Sequence, residues 1–288
     1  MQSISFIGAG RLGTTLAIAL HRAGMPVTMI ASRNPASAQQ AVSGLEGCRA
    51  VTPEQAASAD LVFLTVPDDE IAATAARLPW RAGQYVVHCS GASEVALLEP
   101  AARAGAITGG YHPLQIFSDP QRTLALLPGS TAGIEGPPAL EQQLRLLAAK
   151  LEMVPMLLPP GSRALYHGGG LFAGTFLLSM LNEAVQAWSA FGISEEQTLR
   201  ALLPVARGTL ETGVAKGPAA ALAGPVSRGD VKVVQRHLQA LEKLSTEQAD
   251  FYRQLAQRQL QLARKNGRLQ AAQLDALQQL IDNKTPSA

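Results

Sequence analysis

Three glycines, Gly8, Gly10 and Gly13, follow the apolar run Ile4-Ser5-Phe6-Ile7 at the spacing G-x-G-x-x-G, with Ala9, Arg11 and Leu12 between them. Residues at this spacing can cradle a pyrophosphate. Gly8 permits a tight turn, Gly10 lets the backbone approach the phosphates, and Gly13 lets the following helix pack close to the strand. Thr14–Leu20 carries a helical pattern, so the amides and dipole at the start of that helix would face the phosphate charge. Dinucleotide binding is expected.

The second apolar run, Val27–Ala31, ends in Ser32-Arg33-Asn34. A site selective for NAD(H) places an acid at this strand end to accept hydrogen bonds from the ribose 2′-hydroxyl. Here an arginine stands instead, able to pair with a 2′-phosphate and to stack on adenine. Ser32 and Asn34 can add hydrogen bonds. NADP(H) is therefore the expected cofactor. Val66-Pro67 and Ser90-Gly91 end two further apolar runs and are expected to border it.

Nicotinamide chemistry asks the protein to orient a substrate and to supply or take one proton. Histidine serves that purpose near neutral pH. Of five histidines, His21 falls within the first helix and His88 in a buried strand, where a hydrogen-bonded core histidine is expected. His112, at a strand end on the ligand edge, and His167, at the start of a long helix, are the catalytic candidates. Tyr111 and Tyr166 precede them and are expected mainly to pack. Gln115 and Asn182 are candidate polar contacts to substrate. Arg228 either pairs with Asp230 or holds a substrate carboxylate. Asp68-Asp69-Glu70 begins a helix, where acids favour the dipole, and no metal site is expected. No arrangement suited to hydrolysis is present.

The elements that must position these residues alternate. Strands are expected at 4–7, 27–31, 49–51, 60–67, 84–89, 106–112, 130–135 and 153–158, with helical patterns between most of them, which implies a parallel, doubly wound sheet. Pro159-Pro160-Gly161 marks the expected boundary between a Rossmann-type domain, 1–159, and an all-α domain, 160–288. Helices are expected at 163–191, 195–212, 230–244, 248–265 and 269–281.

At 288 residues and 47% hydrophobic, the chain is long and apolar enough for two cored domains. Its formal net charge of +2, with no basic cluster interleaved with aromatics, does not suggest nucleic acid. Cys48 and Cys89 stand apart without a C-x-x-C, and the first strand begins close to Met1. A reduced, cytoplasmic setting without a leader is expected. Ala164–Asn182 has no formal charge. Its glycines, His167 and Asn182 dilute its hydrophobicity, so a helix buried between domains or subunits is expected there, not a membrane span.

The fingerprint, His88-Cys89-Ser90-Gly91, His112-Pro113-Leu114-Gln115, Tyr166-His167 and Gly224-Pro225-Val226-Ser227-Arg228-Gly229-Asp230 together resemble a family of Rossmann-like proteins with a helical C-terminal domain of unknown function. That family is similar to the wider 6-phosphogluconate dehydrogenase-like superfamily, which includes ketopantoate reductase, pyrroline-5-carboxylate reductase and deazaflavin-dependent NADP oxidoreductases. The resemblance covers nearly the whole chain. It implies an NADP(H)-dependent oxidoreductase acting on a small carbonyl, imine or hydroxyl substrate in an interdomain cleft, and a homodimer formed through the helical domain. Two departures stand out. The long helix lacks the lysine of the superfamily's hydroxyacid dehydrogenases, with His167 near its start, and Gly174-Thr175 replaces Ser-Asn. A non-catalytic NADP(H)-binding sensor or scaffold is the alternative.

Overall fold

The computed structural model describes residues 2–283. Its strands are β1 (Ile4–Ile7), β2 (Val27–Ala31), β3 (Arg49–Val51), β4 (Leu61–Leu64), β5 (Tyr85–His88), β6 (Ile107–Leu114), β7 (Thr131–Glu135) and β8 (Val154–Leu157). They form one sheet in the order β3-β2-β1-β4-β5-β6-β7-β8. The order reverses between β1 and β4, the switch point at which doubly wound sheets open a crevice beyond their strand ends. Strands buried on both faces are expected to be continuously apolar. Accordingly, all four residues of β1 and of β4 are buried, and Phe6 stacks on Phe63 with ring centroids 5.0 Å apart.

The sheet departs from the expected all-parallel arrangement at one joint. β6 and β7 are antiparallel, with Gly110 opposite Glu135 and His112 opposite Gly133. An antiparallel neighbour can start from the edge at which its partner ended, whereas a parallel one needs a crossover. The remaining neighbours pair in parallel.

The helices among and after the strands are α1 (Arg11–Arg22), α2 (Pro35–Ala41), α3 (Pro53–Ala56), α4 (Ile71–Arg77), α5 (Glu99–Arg103), α6 (Pro120–Leu126), α7 (Pro138–Lys150) and α8 (Arg163–Ala173). Asp119 caps α6 by accepting from the Arg122 amide at 2.8 Å, with proline at the first turn.

The chain divides into two compact units, one ending at Gly174 and the other beginning at Thr175. By contacts, α8 thus belongs with the sheet, beyond the boundary expected at Pro159-Pro160-Gly161. The helix expected over 163–191 is interrupted. Gly174 takes φ −108° and ψ −110°, outside the helical region, and separates α8 from the next helix.

The second unit holds α9 (Phe176–Ser189), α10 (Glu195–Lys216), α11 (Pro218–Ala221), α12 (Pro225–Arg228), α13 (Val231–Leu244), α14 (Thr246–Asn266) and α15 (Ala271–Asp282). Val226, Val234, Leu238, Leu260, Leu277 and Ile281 form its core. The pairs four residues apart lie on one helix face. Ser194 and Gln197 close a capping box at the start of α10. Within the single chain, α9 has no buried residue and α8 has only Arg163, so these helices lack the cover that their apolar composition led one to expect.

Candidate functional site

The β1–α1 turn is shaped by contacts that tolerate no side chain. Gly8 has φ +120°, and a Cβ there would fall onto the Thr65 carbonyl. Thr65 in turn donates from its hydroxyl to the Gly8 carbonyl at 2.6 Å, locking the turn to the end of β4. A Cβ at Gly10 would meet nothing. The start of α1 carries no side-chain cap and no acid in its first turn. Its amides and positive dipole end are therefore available to an anion.

A crevice of about 1120 Å³ opens over this turn. Gly8, Ala9, Gly10, Arg11, Leu12, Ser32, Arg33, Asn34, Val66 and Pro67 all line it, while Gly13 packs behind, against Gly8 and Thr65. Asn34 caps α2 through the Ala36 amide at 3.0 Å, and Ser32 Oγ accepts from the Asn34 amide at 3.4 Å. These two shape the turn and leave the Arg33 side chain 89% exposed at the lip. Glu70 lies 3.7 Å from Arg33, an exposed pair worth at most about 1 kcal/mol and thus readily exchanged for a phosphate. Arg77 lines the same crevice.

The second cluster lies where β5, β6 and α8 meet. His112 Nδ1 is 3.1 Å from the Tyr166 hydroxyl, and the His112 and His167 rings are 5.9 Å apart, edge to face. The two candidate histidines are therefore brought together. Gly91 makes this possible: a Cβ there would lie 2.6 Å from His167 Cδ2 and 2.8 Å from His112 Cε1 and Nε2. Gly91→Ala is expected to force the rings apart at about 1–3 kcal/mol, the usual range for overpacking. Urea unfolding measures the loss, and imidazole NMR signals of His112 and His167 should move while Gly10 and Arg11 amide signals stay in place.

Burial, opposed to positive charge further by His167 and Arg163 and eased by Asp68, lowers His112 from the ordinary imidazole value to about 4. The ring is neutral at pH 7. Burial raises Tyr166, against the pull of Arg163, so it is a phenol.

Beneath this cluster lies a polar frame. Arg163, fully buried at the start of α8, donates from Nε to Glu135 at 2.6 Å and from Nη1 to the Ser90 carbonyl at 2.8 Å. The Glu94 carboxylate accepts from the Gly161 and Arg163 amides at 3.0 and 3.2 Å, covering free amides at the α8 start. Ser90 Oγ donates to Asp68 at 2.6 Å, tying the strand end below the histidines to the loop after Pro67.

His88 was expected to be a hydrogen-bonded core residue. It is fully buried, but among the described residues neither ring nitrogen has a partner of normal geometry. Burial and Arg163 lower it to about 4. Gln115 is occupied locally, donating to the Leu126 carbonyl at 3.2 Å and accepting from the Ile116 amide at 2.9 Å. Asn182 lies in α9 and Arg228 in α12, both in the second unit, and Arg228 Nε donates to Asp230 at 2.8 Å. Arg163, Glu135, Glu94 and Thr65 were not anticipated. Glu135, a charge ending the apolar strand Thr131–Ile134, was the one sequence signal that a buried partner was needed.

Residues 1–113 match the model of a Rossmann-like domain, and residues 130–259 that of a domain of unknown function, DUF2520. The two family models thus match the chain one after the other, the Rossmann-like model first and DUF2520 second. The DUF2520 match begins beside β7, so it includes Glu135, Arg163, Tyr166 and His167, whereas His112 belongs to the Rossmann-like match. No curated protein matches the chain. Among solved structures, a Thermotoga maritima protein is 20% identical with a TM-score of 0.73, covering 92% of this chain and 100% of its own. An imine reductase from Pseudomonas sp. is 20% identical with a TM-score of 0.66, over 96% and 99%. A reductive aminase from Aspergillus terreus, in complex with NADPH and ethyl-5-oxohexanoate, is 18% identical with a TM-score of 0.65, over 95% and 98%. At these identities the chain shares their fold.

Proposed function

We propose that this chain is an NADP(H)-dependent oxidoreductase that transfers a hydride to or from a small carbonyl, imine or hydroxyl substrate beside His112. The observation that carries the reading is Arg33, exposed and only loosely paired with Glu70 at the lip of a crevice whose floor is the uncapped start of α1. The NADPH complex of the similarly folded reductive aminase supports it. Gly8–Leu12 would hold the pyrophosphate, and Ser32, Arg33 and Asn34 the 2′-phosphate end. Bound NADP(H) supplies or takes the hydride. His112 and His167 are the candidates for holding the reacting oxygen or nitrogen and exchanging its proton. A neutral His112 fits the role of hydrogen-bond donor better than that of imidazolium acid.

The test is a fluorescence titration with NADPH and with NADH, repeated on Arg33→Ala. An arginine–phosphate pair is worth about 1.5–3 kcal/mol, so NADPH should weaken by about tenfold or more and NADH should hardly change. Equal affinity for both cofactors in the unaltered protein would overturn the assignment, and binding of neither would remove the dinucleotide reading.

The homodimer belongs to the same reading. Leu178, Phe191 and Val205 of the second unit are each more than half exposed, an apolar surface of the kind that marks interfaces. Arg163–Ser189 is also apolar enough by composition to cross a membrane, but Gly174 breaks it. A second copy is the proposed cover, in a reduced cytoplasmic setting in which Cys48 and Cys89 stay free thiols, with neither membrane nor nucleic acid as partner. Analytical ultracentrifugation at micromolar concentration should give twice the chain mass, and Phe191→Glu should shift it toward the monomer. A monomer before substitution would count against it.

A further inference from the structure

The frame under the histidines holds a guanidinium that the proposed chemistry does not use. Arg163 is 0% exposed, and two of its three nitrogens are bonded, to Glu135 on β7 and to the Ser90 carbonyl after β5. The third, Nη2, has no partner among the described residues and lies where a Cβ of Gly110 on β6 would be. One side chain thus reaches three strand segments. Burying a charged pair is weak evidence of a stabilising role, because apolar residues of similar volume would serve as well or better. An arrangement that leaves one donor unsatisfied strengthens that objection. What the pair does define is geometry. It sets the first turn of α8, and Tyr166 and His167 follow Arg163 by three and four residues, which is one helical turn.

Tyr166 brings its hydroxyl over Gly133, where an added Cβ would be 2.8 Å away, and to His112 Nδ1 at 3.1 Å. Among the described residues this hydroxyl has no other hydrogen-bond partner. Were Nδ1–H to donate to it, the hydroxyl proton would have no acceptor in the protein, so donation by Tyr166 to Nδ1 satisfies both groups. A neutral imidazole that accepts at Nδ1 carries its proton on Nε2. That nitrogen borders Gly91.

We propose that Arg163 is a positioning residue: it seats α8 on β6 and β7 so that Tyr166 donates to His112 Nδ1, which leaves His112 Nε2–H as the donor offered at the site. This deepens the proposed function and rests on its assignment of His112. A protonated Nε2 can hydrogen-bond a substrate oxygen or nitrogen as negative charge develops on it.

Long-range ¹H–¹⁵N spectra of the imidazoles, across pH, test the proposal on the full chain without cofactor or substrate. The groups facing His112 are His88 and Asp68 on the sheet side and Arg163, Tyr166 and His167 on α8, with Glu135 behind Arg163. In the unaltered protein His112 should be a single Nε2–H tautomer at pH 7. Tyr166→Phe should give a mixture of the two tautomers and raise the titration midpoint by about one unit, since a hydrogen bond favouring the neutral ring is lost. Arg163→Met removes a nearby charge as well, so Arg163→Lys decides. Lysine keeps the charge but cannot make the forked contact. If position matters, Arg163→Lys mixes the tautomers as Tyr166→Phe does. A folded Arg163→Lys with the single tautomer and unchanged midpoint overturns the proposal. Should both Arg163 variants fail to fold, Glu135→Gln, which keeps the guanidinium and the volume, carries the same decision. NADPH titration is independent of these spectra, so failure of the cofactor assignment and failure of this proposal are distinguishable.

Discussion

Glu135→Leu is expected to destabilise the first unit by about 3–5 kcal/mol, the range for removing one partner from a buried ion pair. The Arg163 side chain is 0% exposed and that of Glu135 only 9%, so water cannot take over from the lost carboxylate. The cost comes from the guanidinium left behind, whose one remaining acceptor among the described residues would be the Ser90 carbonyl. Arg163→Met in the same chain should therefore recover most of the loss, because the double variant buries no charge. The strain of two substitutions would then remain as the smaller term. Each unit holds one tryptophan, Trp80 and Trp188. With Trp188→Phe as background, Trp80 fluorescence in urea reports the first unit alone. Equal losses in the single and double variants would mean that packing, not the unpaired charge, sets the cost.

This pair also marks the limit of what the sequence could show. The crevice was legible because its determinants are local. The strand, the three glycines, the helix and Arg33 lie within one stretch of chain, and each residue type has one physical reason to be there. Thr65 completes the turn from β4, and no spacing rule connects a threonine at that distance to Gly8. The histidine site was half legible. His112 and His167 were visible as histidines beside the ligand edge and at a helix start. Their meeting depends on Gly91 and on α8 crossing the sheet, which is a matter of tertiary packing.

Strand positions could be recognised from apolar runs, but strand direction could not. β6 and β7 both look like buried strands, and a connection containing α6 suits either direction. Only the observed register, with Gly110 facing Glu135 and His112 facing Gly133, puts the two residues that α8 contacts on adjacent strands. In α8 and α9 the uncharged stretch suggested one long helix. The break falls at Gly174, whose ψ of −110° lies outside the helical region.

Acid should weaken the first unit in a pH window set by two histidines. His88 and His112 are lowered to about 4 in the folded chain, from the ordinary value of 6.5. In the window between these values the unfolded chain binds more protons than the folded one, so stability rises with pH across it. The contribution is fully present above pH 6.5, is lost as pH falls toward 4, and does not change further below that. Each histidine accounts for about 1.4 kcal/mol per pH unit inside the window, or on the order of 2 kcal/mol between pH 6.5 and 5. His112, which is partly exposed, should fall short of that figure. Asp60, held below its ordinary value chiefly by the Gln2 amide and by Arg81, acts in the same direction but in a lower window: its stabilisation is kept down to the ordinary carboxylate value of 3.8 and is lost as pH falls below it. The loss between pH 6.5 and 5 is thus separable from ordinary acid denaturation. His88→Leu should abolish about half of it or more. It also removes two buried nitrogens that lack partners of normal geometry among the described residues, so at pH 7 the variant should be no less stable than the unaltered chain and more stable by up to about 1–3 kcal/mol. Urea unfolding at pH 7, 6 and 5 measures both effects. An unchanged pH slope in His88→Leu would mean that His88 already carries its proton in the folded state, with Asp68, the neighbouring acid that favours its charge, as its counter-ion.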